Sequence, residues 1–88
     1  MNVPEVSRFF GIIIAIYYND HAPSHFHVRY NNYRAKISIS DLKLLEGDLP
    51  KRALSLILEW AFEHRADLLE DWALAQEKKP LKPIKPLE

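Results

Sequence analysis

Residues 25–40 of the chain read HFHVRYNNYRAKISIS, two runs of alternating polar and apolar residues joined by Asn31-Asn32. Side chains of a β-strand point alternately to opposite faces of the sheet, so each run predicts a strand that is buried on one face. Two asparagines between such runs are typical of a two-residue turn, because asparagine tolerates the positive φ that the turn requires. The stretch therefore predicts a β-hairpin with one apolar and one polar face.

Counting back from the turn pairs the residues of the two strands and separates the two faces. The apolar face holds the pairs Tyr30–Tyr33, Val28–Ala35 and Phe26–Ile37. The polar face holds the pairs Arg29–Arg34, His27–Lys36 and His25–Ser38. Like charges directly opposite each other destabilise a sheet, and such local conflicts tend to occur at functional sites. The hairpin thus predicts a functional face that is basic or neutral throughout.

Before the hairpin, residues 9–18 read FFGIIIAIYY, a β-branched and aromatic run without alternation. This pattern is typical of a strand that is covered on both faces. Residues 3–8 form a short polar lead before it, and residues 19–24 form the loop that connects it to the hairpin. Residues 42–45 could add a short fourth strand at the edge. Residues 1–48 are therefore predicted to form an antiparallel meander of three or four strands.

After the meander, residues 49–77 show the period of an α-helix, with acidic residues opposite an apolar stripe. Trp60 and Phe62 lie off this stripe, which consists of Leu54, Ile57, Leu58, Ala61, Leu68, Trp72 and Ala75. Asp48 is the predicted N-cap. One helix of this length would measure about 43 Å, against an expected radius of gyration of about 12 Å. It therefore either kinks near His64-Arg65 or projects towards a partner.

The last residues, 78–88, repeat a proline, an apolar residue and a lysine with a period of three. Polyproline II also has three residues per turn, so an extended tail is predicted, with Leu81, Ile84 and Leu87 on an edge that packs against the domain or another subunit. The alternative is a frayed terminus. Together the segments predict a single α+β domain over residues 1–88, in which the meander packs against a long C-terminal helix followed by the Pro/Lys tail.

The chain has 88 residues, a formal net charge of zero and no cysteine. Disulfides, thiolate catalysis and zinc–thiolate sites are thereby excluded. The longest apolar run is too short to span a bilayer and the N-terminus lacks the features of a signal peptide, so we expect a cytoplasmic protein without membrane contact. A chain of this size has a small core, which favours a homodimer or a complex with another protein.

Three interpretations of the polar hairpin face are open. The first is an anion site, in which Arg29, Arg34 and Lys36 bind phosphate or RNA. His25 or His27 could then act as a general acid or base, since histidine titrates near neutrality. A metal-free ribonuclease would have this arrangement.

The second interpretation is a metal site. His25 and His27 should lie about 6.6 Å apart along the strand, and His21 or Asp20 could approach from the loop. Imidazole and carboxylate ligands suit Zn²⁺ or another divalent transition metal, whereas Lys36 and two arginines on the same face oppose a cation. In the third interpretation, the histidines and Asp20 form structural hydrogen bonds, and the protein acts by binding a partner without catalysis.

Several segments of the chain resemble a family of small bacterial proteins. They are PEVSRFFGI at 4–12, YYNDH at 17–21, PSHFHV at 23–28, LP at 49–50 and EWA at 59–61, and they are similar to the group named domain of unknown function 4160. The resemblance implies no established activity. It implies a bacterial cytoplasmic protein with a protein partner encoded by a neighbouring gene, an arrangement that has prompted toxin–antitoxin proposals. The chain departs from the family at Pro23-Ser24, where two prolines are common.

The resemblance implies the toxin-like half of a toxin–antitoxin-like pair, and the histidine and arginine face of the hairpin predicts that it binds RNA or phosphate without a cofactor. One alternative is a histidine-based protein that binds Zn²⁺ or another divalent transition metal. The other is a non-catalytic interaction module with structural histidines.

Overall fold

A computed structural model describes residues 4–88, so Val3 of the polar lead lies outside the described residues. The described part of the chain forms five strands followed by two helices. They are β1 (Glu5–Phe9), β2 (Ile12–Ala15), β3 (His25–Tyr30), β4 (Tyr33–Ser38), β5 (Leu44–Gly47), α1 (Lys51–Glu63) and α2 (Arg65–Gln76). The predicted α+β class is confirmed. Within residues 4–88, neither helix is long and apolar enough to cross a membrane.

The strands form one antiparallel sheet in the order β1-β2-β3-β4-β5. The register of β3 against β4 is the predicted one, with Arg29 opposite Arg34 and His27 opposite Lys36. Asn31 in the connecting turn has a φ of 51°. The fourth predicted strand is present as β5, two residues later than residues 42–45.

The prediction of a single strand over residues 9–18 is wrong. A tight turn at Phe10-Gly11 divides this apolar run, and the residues before the turn form β1, which pairs with β2. Both turn residues have positive φ, 49° at Phe10 and 78° at Gly11, which is the backbone of a two-residue hairpin turn. The polar lead is therefore an edge strand, and the described chain has five strands instead of three or four.

The single long helix predicted over residues 49–77 is also wrong. α1 ends and α2 begins at His64, whose φ of −117° and ψ of 23° lie outside the helical range. The His64 N–H still donates to the carbonyls of Trp60 and Ala61, at 3.1 and 3.2 Å. The bend falls where the kink was predicted and gives a radius of gyration of 11.7 Å. Helix length is therefore no argument for a partner.

The start of α1 differs from the prediction as well. Its N-cap is Pro50 instead of Asp48, and no side chain of the described residues caps it. Asp48 instead accepts a hydrogen bond from the backbone N–H of Leu49, at 2.9 Å. The carboxylate is thus used in the connection before the helix.

Trp60, predicted to lie off the apolar stripe, is fully buried in the core. Its ring packs against Phe9 and Phe26 of the sheet, with centroid distances of 5.3 and 6.2 Å. Its indole Nε1–H donates to the backbone carbonyl of Lys85 at 2.8 Å. The tail thus covers a second apolar side of α1, whereas Phe62 remains 69% exposed.

The tail packs on the domain, as predicted for its apolar edge. Ile84 is buried, and Leu81 and Leu87 are partly buried against the same core. The N–H of Ile84 donates to the carbonyl of Val6 in β1 at 2.8 Å. The N–H of Lys82 donates to a carboxylate oxygen of Asp71 at 2.8 Å. These two hydrogen bonds tie the tail to the edge strand and to α2.

Asp71 makes the stability of the fold depend on pH. It is 1% exposed, and its Oδ2 has no hydrogen-bond partner in the described structure. Burial raises the pKa of this carboxyl above its ordinary value of 3.8, because desolvation disfavours the charged form. A carboxyl with a raised pKa in the folded state binds its proton more tightly there than in the unfolded chain. Its favourable contribution to the free energy of unfolding is therefore complete below the unfolded pKa and is lost as the pH rises through the folded pKa.

We therefore expect Asp71→Asn to gain stability relative to the parent as the pH rises above 3.8, the ordinary value of this group. The amide keeps an oxygen for the Lys82 N–H but does not ionise. Urea denaturation midpoints over a pH series measure the difference between the two proteins. Asp67→Asn, at a side chain that is 57% exposed, is the control and should show no such gain. A constant difference between Asp71→Asn and the parent at every pH would contradict the expectation.

Candidate functional site

The loop between β2 and β3 brings Asp20 onto the two histidines of β3. Oδ2 of Asp20 lies 2.7 Å from Nε2 of His27 and 3.1 Å from Nε2 of His25. The ligand atoms of the three residues all lie within 4.8 Å of one another. The histidines are alternate residues of one strand and share a face, with ring centroids 5.1 Å apart. We call these three residues the His–Asp cluster.

His21, the fourth residue predicted as a metal ligand, is exposed on the same loop. It lies along a surface depression that also contains Asp20 and His25 but is not one of the three residues whose ligand atoms converge. The structure therefore brings together three of the four predicted ligands.

The C-terminal part of α2 holds the His–Asp cluster in place. The ring of Trp72 packs against that of His25, with centroids 5.2 Å apart. The side-chain amide of Gln76 donates to the backbone carbonyl of Asp20 at 3.1 Å. Trp72 was predicted only as a core residue, and no feature of the sequence singled out Gln76, because its partner is distant along the chain.

His25 is fixed in one tautomer. Its Nδ1 lies 2.8 Å from the backbone carbonyl oxygen of Pro23, and a carbonyl only accepts, so Nδ1 carries the proton. In the neutral ring, Nε2 is then an unprotonated nitrogen. It is buried, forms no hydrogen bond within residues 4–88, and faces the Asp20 carboxylate at 3.1 Å. Two lone pairs at this distance repel each other unless a proton or a metal ion lies between them.

His27 is the more accessible histidine of the cluster. Burial lowers its pKa, which nearby His25 and Lys36 also lower, while the Asp20 carboxylate opposes the shift. A lowered pKa favours the neutral ring, which is the form that binds metals. Tyr17 packs edge-on against the ring, with centroids 4.4 Å apart.

The predicted anion-binding arginines line a groove beside the cluster. The groove lies on the face of the sheet that carries Arg29 and Arg34, which we call the open face. The groove has a volume of about 220 Å³, and its walls include Arg29, Arg34, Tyr17 and His27. Arg29 and Arg34 lie directly opposite each other. No acidic side chain of residues 4–88 forms an ion pair with either arginine.

The polar face of the hairpin itself is basic or neutral, as predicted, but the neighbouring strands add acidic side chains to this face of the sheet. β1 contributes Glu5, which pairs with Arg8 at 2.8 Å, and β5 contributes Glu46, which pairs with Lys36 at 3.1 Å. Both acids lie on strands outside the hairpin, so the hairpin sequence alone did not show them. The pairing of Lys36 also removes part of the electrostatic objection to a cation at the histidines.

The fold and the site define a small α+β protein with a histidine–carboxylate cluster on the open face of a five-stranded meander. A family model described as Domain of unknown function (DUF4160) matches residues 11–73, and the chain belongs to this family. The matched residues contain the whole His–Asp cluster and both groove arginines. No curated protein and no solved structure matches the chain.

Proposed function

We propose that the protein binds a divalent transition metal ion, with Zn²⁺ as the first choice, through Asp20 and the Nε2 atoms of His25 and His27. The buried Nε2 of His25 carries this proposal, because it has no hydrogen-bond partner in the described chain and faces a carboxylate oxygen. Leaving a buried polar atom unpaired costs about 1–3 kcal/mol. A metal ion between the two atoms would satisfy both.

The ligand chemistry supports the proposal. Two imidazoles and a carboxylate are ligands of Zn²⁺ and of other first-row metals. Histidines that bind metals usually donate their other N–H to a carbonyl or carboxylate, as His25 does to Pro23. Zn²⁺ bonds of about 2.0 Å place tetrahedral ligands about 3.3 Å apart, which is close to the Asp20–histidine distances of 2.7 and 3.1 Å and within the 4.8 Å that encloses all three ligand atoms.

Three protein ligands leave a coordination position open on a four-coordinate metal. Catalytic zinc sites have this arrangement, whereas structural sites use four protein ligands. His27 belongs both to the cluster and to the wall of the adjacent groove. We therefore propose that the open position is directed to a ligand bound on the open face of the sheet.

The other interpretations account for fewer of the contacts. Structural hydrogen bonding explains the bond between His27 and Asp20, but it leaves Nε2 of His25 without a hydrogen bond although Asp20 lies within ion-pair distance of it. Metal-free acid–base catalysis would need an accessible ring. The ring of His25 is only 6% exposed, and its Nδ1 is hydrogen-bonded to the Pro23 carbonyl. The toxin-like role, and a partner encoded by a neighbouring gene or a second copy of the chain, stay predictions.

Titration calorimetry of the untagged, metal-free protein with Zn²⁺ tests the proposal. We expect one Zn²⁺ per chain. Asp20→Asn keeps the size of the side chain and removes its charge, and it should weaken binding by more than about 100-fold, since losing even an outer partner of a ligand costs roughly 10- to 100-fold. His21→Ala, on the same loop but outside the cluster, is the matched control and should bind as the parent does. Equal affinity in the parent and Asp20→Asn would refute the proposal.

A further inference from the structure

Arg29 and Arg34 occupy opposite positions on β3 and β4, on the open face of the sheet. Such pairs have Cβ atoms about 4.5–5.5 Å apart, so the two positive charges repel each other and destabilise the sheet. The acids of this face are already engaged, Glu5 with Arg8, Glu46 with Lys36 and Asp20 with His27. Within residues 4–88 neither arginine therefore has an acidic ion-pair partner, although Glu5, paired with Arg8, lines the same groove.

An anion with several oxygens would relieve this repulsion. Each guanidinium presents a fork of N–H donors that matches the oxygens of a phosphate. We propose that Arg29 and Arg34 bind the phosphate group of a phosphoester in the groove. The two arginines would then neutralise the charge of one phosphate from both sides.

The size and walls of the groove favour a phosphate group over a whole enclosed ligand. Its volume of about 220 Å³ is below the roughly 300–1,000 Å³ of pockets that enclose an organic molecule. Ile13 and Ala15 line it as well, and apolar walls strengthen charge interactions by lowering the local dielectric constant. Tyr17, also in the wall and 41% exposed, offers a ring on which the base of a nucleotide could stack.

His27 connects this groove to the His–Asp cluster. It lines the groove, and its Nε2 lies 2.7 Å from Asp20. Arg29 is two residues further along the same face, a distance of about 6.6 Å. A phosphate held by the arginines therefore lies beside a metal ion bound at the cluster. The inference thus names the ligand class of the metal centre, and in this respect it rests on the proposed function.

Binding assays with inorganic phosphate, adenosine 5′-monophosphate and single-stranded oligouridylate test the inference in metal-free and Zn²⁺-loaded protein. We expect the two esters to bind, more tightly at low ionic strength because salt screens exposed charges. Arg29→Ala and Arg34→Ala should each weaken binding by about tenfold or more, the loss of a charge-assisted contact. Arg52→Ala, an exposed arginine on α1 outside the groove, is the matched control and should leave binding unchanged.

The outcomes separate the sources of the phosphate and the two proposals. Tighter binding of oligouridylate assigns the phosphate to RNA, and tighter binding of the monophosphate assigns it to a nucleotide; both support the inference. Binding of inorganic phosphate alone, or unchanged binding in both groove variants, overturns it even if Zn²⁺ binds. Arginine-dependent ester binding without Zn²⁺ binding refutes only the metal proposal. If both groove variants melt well below the parent without any anion, the arginines are structural and the inference is wrong.

Discussion

Zn²⁺ at a hundredfold excess over its Kd is expected to raise the melting temperature by roughly 10–20 °C. A ligand that binds only the folded state stabilises it by about 2.7 kcal/mol at this excess. In a domain of this size, about 1 kcal/mol shifts the melting temperature by roughly 4–8 °C. Zn²⁺ should bind the unfolded chain weakly, because Asp20 and His27, which are seven residues apart, converge with His25 only in the folded loop and strand. The full shift is therefore expected. Thermal denaturation with and without Zn²⁺ measures it.

Two variants show whether the shift comes from the His–Asp cluster. His25→Ala should abolish the shift, although it also lowers the melting temperature of the metal-free protein because the ring is buried. Asp20→Asn should give the same loss without leaving a cavity. His21→Ala should keep the full shift, and Mg²⁺, which prefers oxygen ligands, should produce none. A full Zn²⁺ shift in both His25→Ala and Asp20→Asn would place the metal elsewhere on the protein.

The hairpin of β3 and β4 could be predicted residue by residue, because alternation and a two-residue turn together fix a register. The turn at Phe10-Gly11 could not be predicted in this way. Phe9 and Ile12 on either side of it are both buried, whereas Phe10 is 62% exposed, so an apolar residue occupies a position that is usually polar. The hydrophobic run hid the hairpin, and with it the edge strand that carries Glu5.

The helical region shows a related limit of periodicity. The break at His64 leaves Ala61 and Leu68 of the stripe buried on either side, so the pattern continues across it. Trp60 was placed off the stripe because the prediction considered only one covered side of the helix. Its second side is covered by the tail, through the hydrogen bond to the Lys85 carbonyl.

For the site, the sequence identified the two histidines and the loop that approaches them, but it left open whether Asp20 or His21 makes the contact. The shared face of His25 and His27 is a local property of one strand. The position of Asp20 depends on the path of the loop and on Gln76, 56 residues further along the chain. Glu46 reaches Lys36 from β5. Such contacts between distant residues decide which charges of the face stay unpaired, and no periodic pattern in the sequence indicates them.

Ile84→Ala in the tail is expected to lower the free energy of unfolding by about 2–5 kcal/mol, the usual cost of removing a buried isoleucine side chain. Ile84 is 6% exposed within the core cluster, although it lies only four residues from the end of the described chain. Its N–H is bound to the Val6 carbonyl, and the next residue, Lys85, accepts the indole N–H of Trp60. Loss of the side chain should therefore loosen the cover over the tryptophan as well.

Urea denaturation followed by far-UV circular dichroism measures this loss, and tryptophan fluorescence, measured in a Trp72→Phe background, reports the exposure of Trp60. Leu69→Ala on α2 is the matched control, because Leu69 is 42% exposed and substitutions at exposed positions usually change stability by less than about 0.5 kcal/mol. The measurement also checks the packed tail of the structure against a frayed terminus. A frayed terminus predicts that Ile84→Ala unfolds at the same urea concentration as the parent, whereas a packed tail makes Ile84 a core residue whose removal destabilises the whole domain.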